Sequence, residues 1–350
     1  MGKNIKIFFM GAFFVSLLSV VLWSSTHRPR IMVLHSYSTD YIWTQEVDVG
    51  LDRVLGDKSW IDIRRNFMET KKHSSKDYLR RAGISARNVI ENLEPDVLIA
   101  VDDDAQELAA RFFINHPRIK IIFVGVNGSI EPYGYDRANN VTGIYERKPV
   151  RALVEMMQTI AASSEIEGKP RALFISDKSL SSERDHNYMK TENWDPVVYN
   201  GHKSFDTFTE WKEYVLDSAK ETDFLLIGGY RRLYRDNRVI DEIDKGQTVS
   251  AKEVATWTEE HSPVPVLGMN IFNASDGAMV SIGVSPYEQG EVAANMALDL
   301  ISARKTIDEI PIQTSKQYVV SMRRSALDKR NIKLPNVFEA FARSTNNYIP

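Results

Sequence analysis

Along this chain, short runs that are apolar at every position alternate with longer stretches whose apolar residues recur every three or four places. Ile31-Met32-Val33-Leu34 is the first such run, and Val47, Leu51, Val54 and Leu55 follow at helical spacing. Leu79, Ala82, Ala86, Val89, Ile90 and Leu93 mark a second helix, broken by Pro95, and Val97 to Val101 is again apolar throughout. A helix through Leu108, Ala109 and Phe112 then leads to a strand from Ile119 to Val124. Strands apolar on both faces, separated by amphipathic helices, predict a parallel sheet covered on both sides.

The rhythm then restarts. Val150, Leu153, Val154 and Met157 form a helical stripe, Ala172 to Ile175 a strand, and Phe208, Trp211, Val215 and Leu216 another stripe. Phe224 to Ile227 is a strand ended by Gly228-Gly229, Val254 and Trp257 lie on a helix, and Val264-Pro265-Val266-Leu267 is a short strand. Met279 to Val284 leads into a helix carrying Val292, Ala293, Met296, Ala297 and Leu300. Two such series exceed the core of one open sheet, so the expected fold is α/β with two doubly wound parallel-sheet lobes.

The N-terminus follows a different rule. Lys3 and Lys6 precede an apolar run from Ile7 to Trp23, interrupted only by Gly11, Ser16 and Ser19, and polar residues follow. A basic start and an apolar stretch read as an export signal. The run is long for a cleaved signal and short for a spanning helix of ~20 residues. Residues 1–27 are therefore expected to be a signal peptide or a retained inner-membrane anchor, with the rest periplasmic. Across all 350 residues, 43% are apolar and the net charge is -3. That is enough for a large core, with no bulk attraction to nucleic acid. Cysteine is absent, which excludes disulfides, thiolate metal sites, a Cys nucleophile and a lipid-modified N-terminal Cys.

In open parallel sheets, ligands bind beyond the carboxyl ends of the strands. Six loops qualify: Ser36 to Trp43, Asp102 to Gln106, Val126 to Gly128, Ser176 to Ser181, Gly228 to Arg232, and Met269 to Asn273. Tyr37, Tyr41 and Trp43 stand among Ser36, Ser38, Thr39 and Asp40, a mixture that suits a small molecule because rings bury area while polar groups orient. Trp43 could equally pack against the next helix. Tyr230, beside Gly228-Gly229, is the counterpart in the second series. Of Asp102-Asp103-Asp104, Asp104 is expected to cap the following helix, which leaves one or two carboxylates for the cleft. Three adjacent side chains cannot converge on one ion, so no metal is expected there. Arg231, Arg232 and Arg235 could hold a ligand carboxylate, pair between lobes or be solvated. Nucleophile-elbow, phosphate-loop, zinc-helix and dinucleotide-glycine motifs are all missing, and His35 stands alone at a strand end, so neither an enzyme nor a cofactor is expected.

Ile121 to Asn127, then Asn140-Val141-Thr142-Gly143-Ile144, then the helix from Pro149 follow a familiar order. So do Val264 to Leu267, Asp276-Gly277-Ala278, Gly283-Val284, Tyr287 to Gly290, Ala293-Ala294, Ile310-Pro311 and Ile332 to Pro335. From about Arg30 to the end, the chain resembles the ABC-type substrate-binding proteins with the type I periplasmic fold, the group that includes aromatic amino-acid binders. His35-Ser36-Tyr37 with Trp43 also looks like the periplasmic sensor regions of histidine kinases and cyclic-dinucleotide enzymes. No kinase or cyclase segment follows before Pro350, so a sensing form is expected to act as a separate subunit.

The resemblance implies two lobes joined by three hinge strands, with crossings near Tyr145, Ala274 and Tyr318. Residues 28–144 plus 275–317 would form the first lobe, and 145–274 plus 318–350 the second. It implies ligand contacts by Tyr37, Trp43, Asp103, Asn127, Asp177, Tyr230 and Asn270. The partner would be an ABC permease or, alternatively, a membrane signalling protein. In one respect the chain departs from its relatives: the loop at Asp102 to Ala105 is usually small and neutral there and receives a ligand carboxylate. Three acids oppose an anion, so the expected ligand has a cationic or hydroxyl-rich end here and a planar body against Trp43 or Tyr230.

Overall fold

The computed structural model describes residues 3–26, 28–164, 166, 168–236 and 248–350. Residues 1, 2 and 27 of the expected signal segment lie outside this set. The segment forms a helix over Lys3–Thr26, and its described side chains from Phe8 to Ser19 are exposed. Among the described residues, no helix is long and apolar enough to cross a membrane.

The rest builds two sheets. Strands β1 (Arg30–His35), β2 (Asp62–Phe67), β3 (Val97–Val101), β4 (Lys120–Val126) and β5 (Val141–Tyr145) are followed by β6 (Arg171–Asp177), β7 (Val198–Phe205), β8 (Phe224–Ile227), β9 (Val266–Gly268) and β10 (Val280–Val284). Short β11 (Gln313–Thr314), β12 (Tyr318–Arg323) and β13 (Tyr348–Ile349) complete the set. The first sheet has the order β11-β5-β4-β3-β1-β2, every pairing parallel. The second runs β13-β12-β10-β9-β8-β6-β7 and is parallel except where β12 meets β10.

Central strands β1, β3, β4 and β8 are apolar at nearly every position because helices cover both of their faces. One face of β1 packs under helices Ile42–Leu55 and Pro286–Ile301, the other under helix Lys76–Leu93. The first two helices cross with their backbones touching. A Cβ on Gly50 would lie 2.3 Å from the Tyr287 carbonyl oxygen, and one on Gly290 2.1 Å from that of Val47.

The chain passes between the sheets three times. It leaves the first after β5 and enters helix Val150–Ser163, which packs in the second lobe's core. It returns after β10 and crosses a last time between β11 and β12. The expectation placed residues 275–317 wholly in the first lobe, but β10 belongs to the second sheet. Val280 to Val284 is a fully buried run and needs a strand on each side, which β9 and β12 supply. The middle crossing therefore falls at Ser285 rather than near Ala274. The crossings are bonded to one another: Glu288 accepts the N–H groups of Lys316 and Gln317, and Gln289 bridges Gly125 and Tyr145.

Candidate functional site

All six strand-end loops converge between the lobes on a tight cavity of about 30 Å³ that opens to solvent. One side is aromatic. Tyr37, Tyr41 and Trp43 come from the loop and helix after β1, and Phe272 from the start of the short helix after β9. Tyr37 and Tyr41 meet edge to face at 5.1 Å, and Tyr41 meets Phe272 at 5.6 Å, which joins the lobes. The Lys71 ammonium lies 3.9 Å from the Tyr37 ring centre and 4.6 Å from that of Tyr41, and donates to the Tyr41 hydroxyl at 3.1 Å. Arg231 faces the Tyr41 and Phe272 rings from the second lobe and donates to Asp276 at 2.9 Å.

The other side is polar. Lys148 pairs with Glu146, lies 3.5 Å from Asp185 and donates to Asn270 at 2.9 Å. Asn127 donates to Asp185 at 2.9 Å across the cleft. Burial disfavours the charge on Lys148, but Asp185 and Glu146 outweigh it and raise its pKa; burial raises that of Asp185, opposed by Lys148. Gly229 lets the backbone approach closely, since a Cβ there would lie 2.2 Å from the Ser182 hydroxyl.

Four buried polar atoms of wall residues have no hydrogen-bond partner: the acceptors Asp102 Oδ2 and Asn127 Oδ1 and the donors Trp43 Nε1 and Arg231 Nε. Burial pushes the Asp102 carboxyl well above the usual range; Lys71 opposes this, while Glu146, Asp103 and Asp104 add to it. Asp102 also holds φ 68° and ψ 166°, a region that side chains rarely enter.

Four of the seven expected contact residues, Tyr37, Trp43, Asn127 and Asn270, stand on this wall. Three do not. Asp103 lies behind Asp102 and accepts from the Tyr133 hydroxyl at 2.6 Å. Asp177 ties loops together beneath the cleft, accepting from the Ser179 and Arg232 N–H groups and the Ser182 hydroxyl. Tyr230 turns into the second lobe, where it packs near Trp211, donates to Asp276 and accepts from Asn273. Asp104, expected as a helix cap, instead accepts from Arg232 at 2.5 Å and Thr70 at 2.6 Å, while the Ala105 N–H goes to Ser36. The three arginines divide their roles: Arg231 stands on the wall, Arg232 pairs between lobes and Arg235 pairs with Glu253. His35 stacks on Phe67 and contacts Asp48, a structural setting.

The reading of the six loops missed Lys71, Glu146, Lys148 and Asp185, which lie outside them, and did not single out Ser181, Ser182 or Phe272. Glu146 and Lys148 belong to the first crossing, and Asp185 to a helix one turn past its loop. A charged Glu-x-Lys directly after a buried strand was the available signal.

No protein-family model matches the sequence, and no curated protein does. Solved structures do. A conserved domain protein from Vibrio cholerae aligns over 90% of this chain and 98% of its own, at 15% identity and a TM-score of 0.62. The ABC domain in complex with L-Trp from Streptococcus pneumonia aligns over 92% and 100%, at 11% identity and 0.65. A carbohydrate transporter solute-binding protein from Agrobacterium radiobacter, in complex with D-arabinose, aligns over 90% and 99%, at 10% identity and 0.54. The fold is that of the type I periplasmic binding proteins. At these identities the likeness speaks for the fold, and the chemistry of this type I chain has to be read from its own cleft.

Proposed function

We propose that this chain is an extracytoplasmic solute-binding protein that encloses a small molecule between its lobes and delivers it to an ABC-type permease, with no bond made or broken. The observation that carries this reading is the set of four buried, unsatisfied polar atoms on an aromatic-lined wall shared by both lobes. Leaving such groups unpaired costs about 1–3 kcal/mol each, and a ligand with matching donors and acceptors recovers that cost. Tyr37, Tyr41, Trp43 and Phe272 would bury its apolar body, while Asp102, Asn127 and Asn270 fix its orientation. Similar solved structures described as binding L-Trp and D-arabinose support a cleft for small solutes. The apolar N-terminal helix supports export, as a signal peptide or as an inner-membrane anchor. The sensing alternative gains no specific support from the neighbours.

A thermal-shift screen of the purified protein against small metabolites tests the reading. A true ligand at a hundred times its dissociation constant is expected to stabilise the fold by about 2.7 kcal/mol. A broad panel in which no compound moves the unfolding temperature contradicts it.

A further inference from the structure

We infer that Lys71 is the gate of the cleft: with Tyr41 and Arg231 it divides the inner cavity from an outer vestibule, and a solute reaches the inner wall when the Lys71 side chain swings out. The inference rests on the solute-binding reading above.

Two cavities meet at these residues. The inner one, at about 30 Å³, has room for only about two water molecules. The outer one, about 320 Å³ and lined in part by Ser38, Lys72, Val249 and Ser250, is large enough for a small solute. Tyr41, Lys71 and Arg231 stand on the walls of both and form the collar between them. The passage from the vestibule to Trp43, Asn127 and Asn270 runs through this collar.

Of the three, Lys71 is the part able to move. Tyr41 is wedged edge to face between Tyr37 and Phe272. Arg231 is bonded to Asp276 and faces two rings. Lys72 pairs with Asp40 and Lys148 with Glu146, whereas Lys71 rests on the Tyr37 and Tyr41 rings and donates to one hydroxyl. Its half-buried side chain has a long flexible stem, and these contacts are individually weak.

The root of the side chain is fixed. Glu69 turns the backbone at φ 54°, and its carbonyl accepts the N–H groups of Lys72 and His73. Thr70 is fully buried, with its N–H on the Ser36 carbonyl and its hydroxyl bonded to that oxygen and to Asp104. Asp104 in turn takes Arg232 from the second lobe, so the loop that carries Lys71 is anchored where the lobes join. A fixed root and a loose tip let the ammonium leave without unfolding the loop.

The tip has a partner on each side of the collar. Inside, its charge offsets the buried Asp102 carboxyl. Outside, the exposed Asp40 stands on the vestibule wall, where it already receives Lys72. The swing therefore trades a ring contact for hydration beside a second carboxylate, a small change for an ammonium.

The test reads access to the inner wall and needs no solute. The chain has no cysteine, so Ser182→Cys on that wall gives the full chain a single thiol, alkylated by neutral iodoacetamide. Lys71→Ala in this background is expected to raise the alkylation rate about tenfold, and Lys71→Arg, which keeps a cation on the rings, to leave it low. If Ser182→Cys does not fold, Ser181→Cys on the same wall carries the thiol. A rate that Lys71→Ala leaves unchanged overturns the gate and leaves the solute-binding reading standing. Equal acceleration by Lys71→Arg also overturns it, because disturbance of the loop then accounts for the access. Failure of every compound in the thermal-shift panel falls on the solute-binding reading instead, so the two failures are told apart.

Discussion

Asp103 and Asp102 are neighbours with the same side chain and different work, and the difference is burial geometry. Asp102 faces the cavity, while Asp103 is sealed behind it against Tyr133, where burial pushes its carboxyl up to about 7 despite the Tyr133 hydrogen bond. Its pKa in the folded protein exceeds that in the unfolded chain. Between about pH 4 and pH 7 the folded state therefore binds more protons, and stability falls as pH rises through that window. At about 1.4 kcal/mol for each pKa unit, the contribution is a few kcal/mol. Asp103→Asn is expected to flatten this part of the stability–pH curve in denaturant titrations, while ligand affinity changes little. A curve that keeps its full slope contradicts the assignment. Adjacent acids in a loop cannot be told apart by periodicity, which is why Asp103 was expected at the ligand and Asp102 was not. Tyr37 and Trp43 were legible because aromatics at the end of a buried strand have few other places to go. Tyr230 satisfied the same rule but found Asp276 and Asn273 behind it.

Elements were legible wherever burial was complete on both faces. Strands β3, β4 and β8 announce themselves as unbroken apolar runs. Of the strands that the pattern missed, β2 and β7 lie at sheet edges, where partly exposed residues such as Arg64 and Lys203 erase the apolar signature. Missing β2 also hid the loop that delivers Lys71. The assignment of β10 to the wrong lobe has a related cause: its apolar run predicts a buried strand but not which sheet takes it. Helix packing was legible as a stripe, yet the contact between Gly50 and Gly290 is a tertiary fact. Gly290→Ala is expected to force apart helices Ile42–Leu55 and Pro286–Ile301 and to cost about 1–3 kcal/mol, read as a lowered denaturation midpoint. An unchanged midpoint contradicts the close crossing.

At the scale of the whole molecule, the lobes hold each other directly. Arg232 reaches Asp104 across the cleft, Asn127 reaches Asp185, and Ser74 meets Tyr234. Removing one partner of a buried ion pair costs about 3–5 kcal/mol, so Arg232→Ala is expected to shift the lobes towards an open arrangement without touching the cavity wall. A solute that contacts both lobes then supplies closing energy in place of the lost pair. The chain has no cysteine, so Lys76→Cys on the first lobe and Glu213→Cys on the second, both exposed, give two unique spin-label sites. The decisive measurement is the distance between those labels in the Arg232→Ala protein, without and with the compound that most stabilises it. A broad, long distribution that the compound collapses to a short one is the expected result. A distribution that a saturating bound compound leaves unchanged contradicts capture by closure of the two lobes.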